Sequence, residues 1–71
     1  MNIRNEIKAH IVLAGFTMRK LLDNLAEKYG WSRSLSNLSG KLTRETIQYR
    51  EVVEIADILG YDLVWQKRFP R

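Results

Sequence analysis

Cysteine is absent from the 71 residues, and there is one histidine and one proline. Without cysteine there is no disulfide, no thiolate nucleophile and no zinc–cysteine site. No nucleophile–base pair, metal-ligand cluster or phosphate-cradling glycine loop can be read in the chain. It is therefore expected not to be an enzyme, and to use no cofactor and no metal. The longest apolar run, residues 11–16, is far short of the ~20 residues that cross a bilayer. The layout of a cleaved signal peptide is missing too, so a cytoplasmic location is expected, and the lack of cysteine is compatible with it. Proline occurs at Pro70 and nowhere earlier, so none interrupts a helix before the last residues. No internal repeat and no low-complexity stretch is visible.

What is present reads as one small globular domain: 45% hydrophobic and 28% charged residues, with 12 Lys and Arg against 8 Asp and Glu, a net charge of +4. The spacing of Gly15, Gly30, Gly40 and Gly60 divides the chain into helix-sized pieces, because glycine favours the position just past a helix end. In residues 2–14, Ile3, Ile7, Ile11 and Ala14 recur as one apolar stripe. A second helix starts at Thr17, a good N-cap, with Phe16 and Leu21 placed as a hydrophobic staple. Met18, Leu21, Leu22, Leu25, Ala26 and Tyr29 form its inner face, and Gly30 ends it. A third, short helix spans residues 32–42, capped by Ser32 or Ser34, with Leu35, Leu38 and Leu42 on one face. Serine is a mediocre helix former, so this helix depends on docking. A fourth covers residues 49–59, where Tyr49, Val52, Ala56 and Leu59, flanked by Ile55 and Val53, give a broad apolar face and Gly60 follows it.

The tail changes period. Tyr61, Leu63 and Trp65 alternate with Asp62, Val64 and Gln66, which predicts a strand. A lone strand leaves its N–H and C=O groups unpaired, and no other strand candidate exists. The simplest partner is the same segment of a second copy, joined through Tyr61, Leu63, Val64 and Trp65 in a two-stranded ribbon across a homodimer. Small size points the same way, since oligomerisation is one remedy for a limited core. The expected architecture is all-α, a four-helix domain over residues 1–60, followed by a strand and basic tail over residues 61–71.

Charge is unevenly spread. No acidic residue lies between Glu27 and Glu45, and that window holds Lys28, Arg33, Lys41 and Arg44; residues 49–62 instead carry a net −3. A polyanion would meet the third helix and be repelled by the fourth. The cluster Glu51, Glu54 and Asp57 reads most simply as a solvated helix face. Trp31 reads as core packing before nucleic-acid stacking, Trp65 as strand packing, and His10 as a surface residue.

A long amphipathic helix, a glycine turn and a short Ser/Arg/Asn helix with inward leucines make a helix-turn-helix candidate. The first helix braces against the core and the phosphate backbone. The second carries polar side chains outward to hydrogen-bond base edges in the major groove. Here the chain resembles the lambda-repressor-like, Cro/C1-type (XRE) helix-turn-helix family. Residues 25–32, Leu-Ala-Glu-Lys-Tyr-Gly-Trp-Ser, match its LAxxxGxS core. Residues 53–61, Val-Glu-Ile-Ala-Asp-Ile-Leu-Gly-Tyr, match the xxIAxxLGx helix that follows the recognition helix. The resemblance covers about residues 7–61.

The chain departs from the family twice. Thr17 stands thirteen residues before Gly30, where the family has a Thr-Gln pair at about nine, and Met18 stands where the Gln would be. The glycine of residues 37–41 also comes early, which leaves the base-reading register open by about one residue. The resemblance implies that Arg33, Ser34, Ser36 and Asn37 face the major groove, that Lys41 and Arg44 contact phosphates, and that Arg19 and Lys20 reach the flanking backbone. It implies a homodimeric regulator of double-stranded DNA that reads two half-sites about one helical turn apart. Such a chain, with no sensor domain expected, acts by occupying an operator. Two rivals remain: a protein-interaction module on the same fold (an antitoxin or a phage-encoded inhibitor), and, lower, an RNA binder, which lacks the sheet that RNA-recognition modules use.

Overall fold

The computed structural model describes residues 2–68, and these residues contain four α-helices. They are α1 (Ile3–Leu13), α2 (Met18–Tyr29), α3 (Leu35–Thr43) and α4 (Tyr49–Leu59). The all-α reading therefore holds for these residues. No helix among them is long and apolar enough to cross a membrane.

Each helix starts where a side chain takes up an orphan backbone N–H. Asn2 accepts from the Asn5 N–H at 3.2 Å, Thr17 from Lys20 at 3.1 Å and Ser34 from Asn37 at 3.2 Å. The choice between Ser32 and Ser34 is thus settled for Ser34, and the Ser32 hydroxyl accepts from the Ser34 N–H at 3.2 Å. At α4 the Glu51 carboxylate reaches back to the Gln48 N–H at 2.9 Å, one half of a capping box. The staple expected at α2 is in place, with Phe16 packed at the edge of the core and Leu21 fully buried.

The inward faces meet in one core. Ile7 and Ile11 come from α1, Leu21, Leu22 and Leu25 from α2, Leu38 and Leu42 from α3, and Ile55 and Leu59 from α4. α4 packs on α2, while α3 packs against both α1 and α2. Trp31, in the turn after α2, is half-buried against this core, as expected from its sequence position. The short serine-rich α3 is held by Leu38 and Leu42, which are 2% and 0% exposed. At roughly 25 cal/mol per Å² of apolar surface removed from water, two buried leucines offset the poor propensity of its serines.

Glycine punctuation is right at three ends and wrong at the fourth. Gly15, Gly30 and Gly60 have φ of 76°, 75° and 86° and follow α1, α2 and α4, a backbone that glycine takes without a steric penalty. Gly40, however, lies inside α3, and the left-handed residue after that helix is Glu45, at φ 55°. The Thr46 N–H closes the turn on the Lys41 carbonyl at 2.9 Å. Gly40 sits beneath the Arg44 guanidinium, whose two nitrogens are 2.8 and 2.9 Å from where a Cβ would stand. That neighbour is the far end of a flexible side chain and can swing away. Gly40→Ala should therefore stabilise the protein by about 0.5–1 kcal/mol through helix propensity, read as a higher thermal midpoint. A lower midpoint would mean that the Arg44–Gly40 contact outweighs the backbone gain.

Residues 61–68 follow α4 without a strand ladder. A strand is hydrogen-bonded sideways, and among the described residues of a single copy nothing pairs with this segment. Its start is anchored: the Tyr61 N–H bonds the Ala56 carbonyl at 2.8 Å, and the Tyr61 ring meets His10 edge-on at 4.8 Å. Beyond that it is bare, with Val64 and Trp65 at 78% and 87% exposure. Residues 69–71 of the expected basic tail lie outside the described residues.

Candidate nucleic-acid interface

The turn of residues 30–34 carries the chain from α2 into α3, and α3 then presents two unlike faces. Leu38 and Leu42 point into the core and Leu35 is half-buried. On the other side Ser36, Asn37, Ser39, Thr43 and Arg44 are exposed. No carboxylate stands on α3, because residues 28–44 contain none. Ser34 is exposed as well, but its hydroxyl is occupied by the cap, so it is less available to a base than Ser36.

The basic residues are more engaged than a reading of charge along the chain suggests. Arg33 pairs with Asp23 at 3.1 Å, and Arg19 reaches the same Asp23 oxygen at 3.4 Å. Arg19 also donates to the Arg33 carbonyl at 3.2 Å, tying the first turn of α2 to the segment entering α3. Lys41 bonds the Glu51 carboxylate at 2.5 Å and lies over the Trp31 ring, 5.5 Å from its centroid. Lys28 bonds Asp57 at 2.6 Å. Lys20 stands over the Phe16 ring at 5.0 Å. Of the four cations in the positive window, Arg44 alone has no carboxylate partner among the described residues.

The carboxylates of α4 correct the solvated-face reading. Glu51 takes Lys41, Glu54 accepts the Trp31 indole N–H at 2.7 Å, and Asp57 takes both Lys28 and the Tyr29 hydroxyl, each at 2.6 Å. This acidic helix is an electrostatic dock for α2 and for the start and end of α3. The signal for this docking is the opposite charge of residues 28–44 and 49–62, which attract each other within the fold as well as acting on an outside polyanion. No group of three or more such side chains among the described residues is arranged to hold a metal ion.

These contacts set the acid response. The Lys28 ammonium and the Tyr29 hydroxyl, bonded to Asp57, hold its carboxyl below the ordinary 3.8. Burial pushes Glu51 up, but the Gln48 N–H and Lys41 outweigh it and leave the carboxyl below 4.5. Both groups are thus more acidic in the folded chain. Their contribution is fully present above the unfolded values and is lost as pH falls through the folded ones. Stability should therefore fall as pH drops below about 4.5, and Glu51→Gln with Asp57→Asn should flatten that fall in urea titrations at pH 3 and pH 7. An equally steep fall in the double variant would assign it to other carboxylates.

What the arrangement offers is a docked helix with a short, uncharged, hydrogen-bonding outer face, flanked by guanidiniums at its entry and exit. Comparison of the chain with protein-family models, with curated proteins and with solved structures finds no match in any of the three.

Proposed function

We propose that the chain is a sequence-specific, double-stranded DNA-binding transcriptional regulator of the Cro/C1 helix-turn-helix type, acting as a homodimer. The observation that carries this reading is the outer face of α3: Ser36, Asn37, Ser39 and Thr43 exposed, Arg33 and Arg44 at its two ends, and no carboxylate on the helix. Short polar side chains let a helix backbone come close to base edges, and Arg and Asn can form bidentate contacts with guanine and adenine. Arg19, Lys20, Ser34 and Lys41 have supporting roles. Arg19 and Lys20 stand at the start of α2 for phosphates, while Ser34 and Lys41 serve chiefly to hold α3 in place.

The homodimer is supported by an apolar surface of different composition. Tyr49 and Val53 on the outer side of α4 are 60% and 40% exposed, and Leu63, Val64 and Trp65 extend it along the tail. The Tyr49 and Trp65 rings stand 6.5 Å apart. A groove of about 320 Å³ is lined by Tyr49 and Val53 themselves, with Ala56, Tyr61 and Leu63 among others. Patches of this kind mark association sites on small proteins. Pairing of residues 61–66 with their copy would give the tail its missing ladder and cover Trp65. Leu63→Ser with Trp65→Ser should then shift the protein from dimer to monomer in sedimentation and weaken duplex binding with it. An unchanged dimer would move the interface elsewhere.

The direct test is selection from a randomised duplex pool across a salt series. An enriched palindrome, with log affinity falling linearly in log salt, supports the regulator. Retention without enrichment, or none at low salt, overturns it. The pairing of Lys28 and Lys41 to α4 favours one second reading, a protein-interaction module on the same fold, which would show no duplex binding and remain folded.

A further inference from the structure

We infer that Asp23 is an electrostatic brake on duplex binding: in the free protein its carboxylate occupies both Arg19, the phosphate contact, and Arg33, the base reader. Arg19 and Arg33 share one oxygen of its carboxylate, at 3.4 and 3.1 Å. Arg19 also bonds the Arg33 main-chain carbonyl at 3.2 Å, so the two guanidiniums and the turn before α3 form one connected unit. The inference rests on the DNA reading, and among the described residues Asp23 is the one acidic group in direct contact with that reading's arginines.

The chemistry follows from exposure and charge. The side chains of Arg19, Asp23 and Arg33 are 51%, 45% and 59% exposed, so each ion pair is solvated and contributes about fivefold in equilibrium terms at most. A phosphodiester, itself an anion that accepts bidentate guanidinium bonds, can take the place of the carboxylate on Arg19, which releases the Arg33 guanidinium toward the base edges. It must then sit close to Asp23 and meet its negative charge. Asp23 thus lowers affinity for every polyanion by a similar factor, because a phosphate contact is common to all duplexes. It also keeps two like-charged guanidiniums together, and so holds Arg33 oriented ahead of binding.

The test compares Asp23→Asn with Glu6→Gln, which removes the same charge from an exposed site on α1. Each is run on a heparin column and against a scrambled duplex. The Asn variant should elute at higher salt than the Gln variant and bind the scrambled duplex about three- to tenfold more tightly. Its preference for the selected duplex over the scrambled one should stay within about twofold, since the phosphate contact is common to both. The difference should vanish when Arg19 and Arg33 are both alanine. Coincident elution of the two variants, or a difference that survives without the arginines, overturns the role of Asp23. The heparin arm decides this even if no duplex is ever selected, an outcome that would overturn the DNA reading by itself.

Discussion

Replacing Arg33 and Asn37 together by alanine should reduce selective duplex binding on the order of 10²- to 10⁴-fold and leave the protein folded. Each well-placed bidentate contact to a base discriminates by about 1–3 kcal/mol, and two such losses combine to that range. The fold has little reason to respond. The Asn37 group that takes part in the cap is its main-chain N–H, which bonds Ser34 and is untouched by a side-chain change. Alanine is moreover a better helix former than asparagine. Arg33 loses only an exposed pair with Asp23, worth about 0–1 kcal/mol. Ser34→Ala is a poor substitute for this experiment, because it removes the cap and costs about 1 kcal/mol of stability as well. Measured by competition against scrambled duplex with circular dichroism alongside, retained selectivity in the double variant would remove α3 as the reading helix.

The largest effect on stability is expected from Leu25→Ala. Leu25 is fully buried at the centre of α2, beside Leu21 and Leu22. Truncation there removes transfer free energy and leaves a cavity, about 2–5 kcal/mol in all. A domain of this length has roughly 4–11 kcal/mol of stability to begin with, so the variant should be partly or wholly unfolded at ambient temperature. The matching control is Leu13→Ser, since Leu13 is 74% exposed and a surface exchange stays within about 0.5 kcal/mol. Both belong in urea titrations at one fixed protein concentration, because dimerisation makes apparent stability depend on concentration. A loss below about 1 kcal/mol for Leu25→Ala would mean that the four-helix core is not packed as described.

Three of the four helices were legible nearly to the residue. Thr17, Gly30 and Gly60 carry strong local signals, and local signals act within one turn. Gly40 misled because helix interiors tolerate glycine when neighbours hold the helix; Leu38 and Leu42 do so here. The end of α3 falls within one residue of the expected 42, at Thr43, but the left-handed turn behind it is taken by Glu45, a position usually left to glycine.

The candidate site was legible in its composition and not in its electrostatics. The family resemblance placed Ser36, Asn37 and Arg44 outward, and periodicity placed the leucines of α3 inward; all three polar residues are exposed. The partners of Arg33, Lys41 and Lys28 could not be placed. Asp23, Glu51 and Asp57 are 10, 10 and 29 residues away along the chain.

The sequence by itself determined the four helices and most of their buried faces, since these depend on residues within about four positions of one another; Tyr49, on the apolar face expected for α4, stands 60% exposed. Only the tertiary structure decided which charges remain available to a partner. Ion pairing depends on distance in space, and packing α4 against α2 and beside α3 brought its carboxylates onto the cations that, along the chain, looked free.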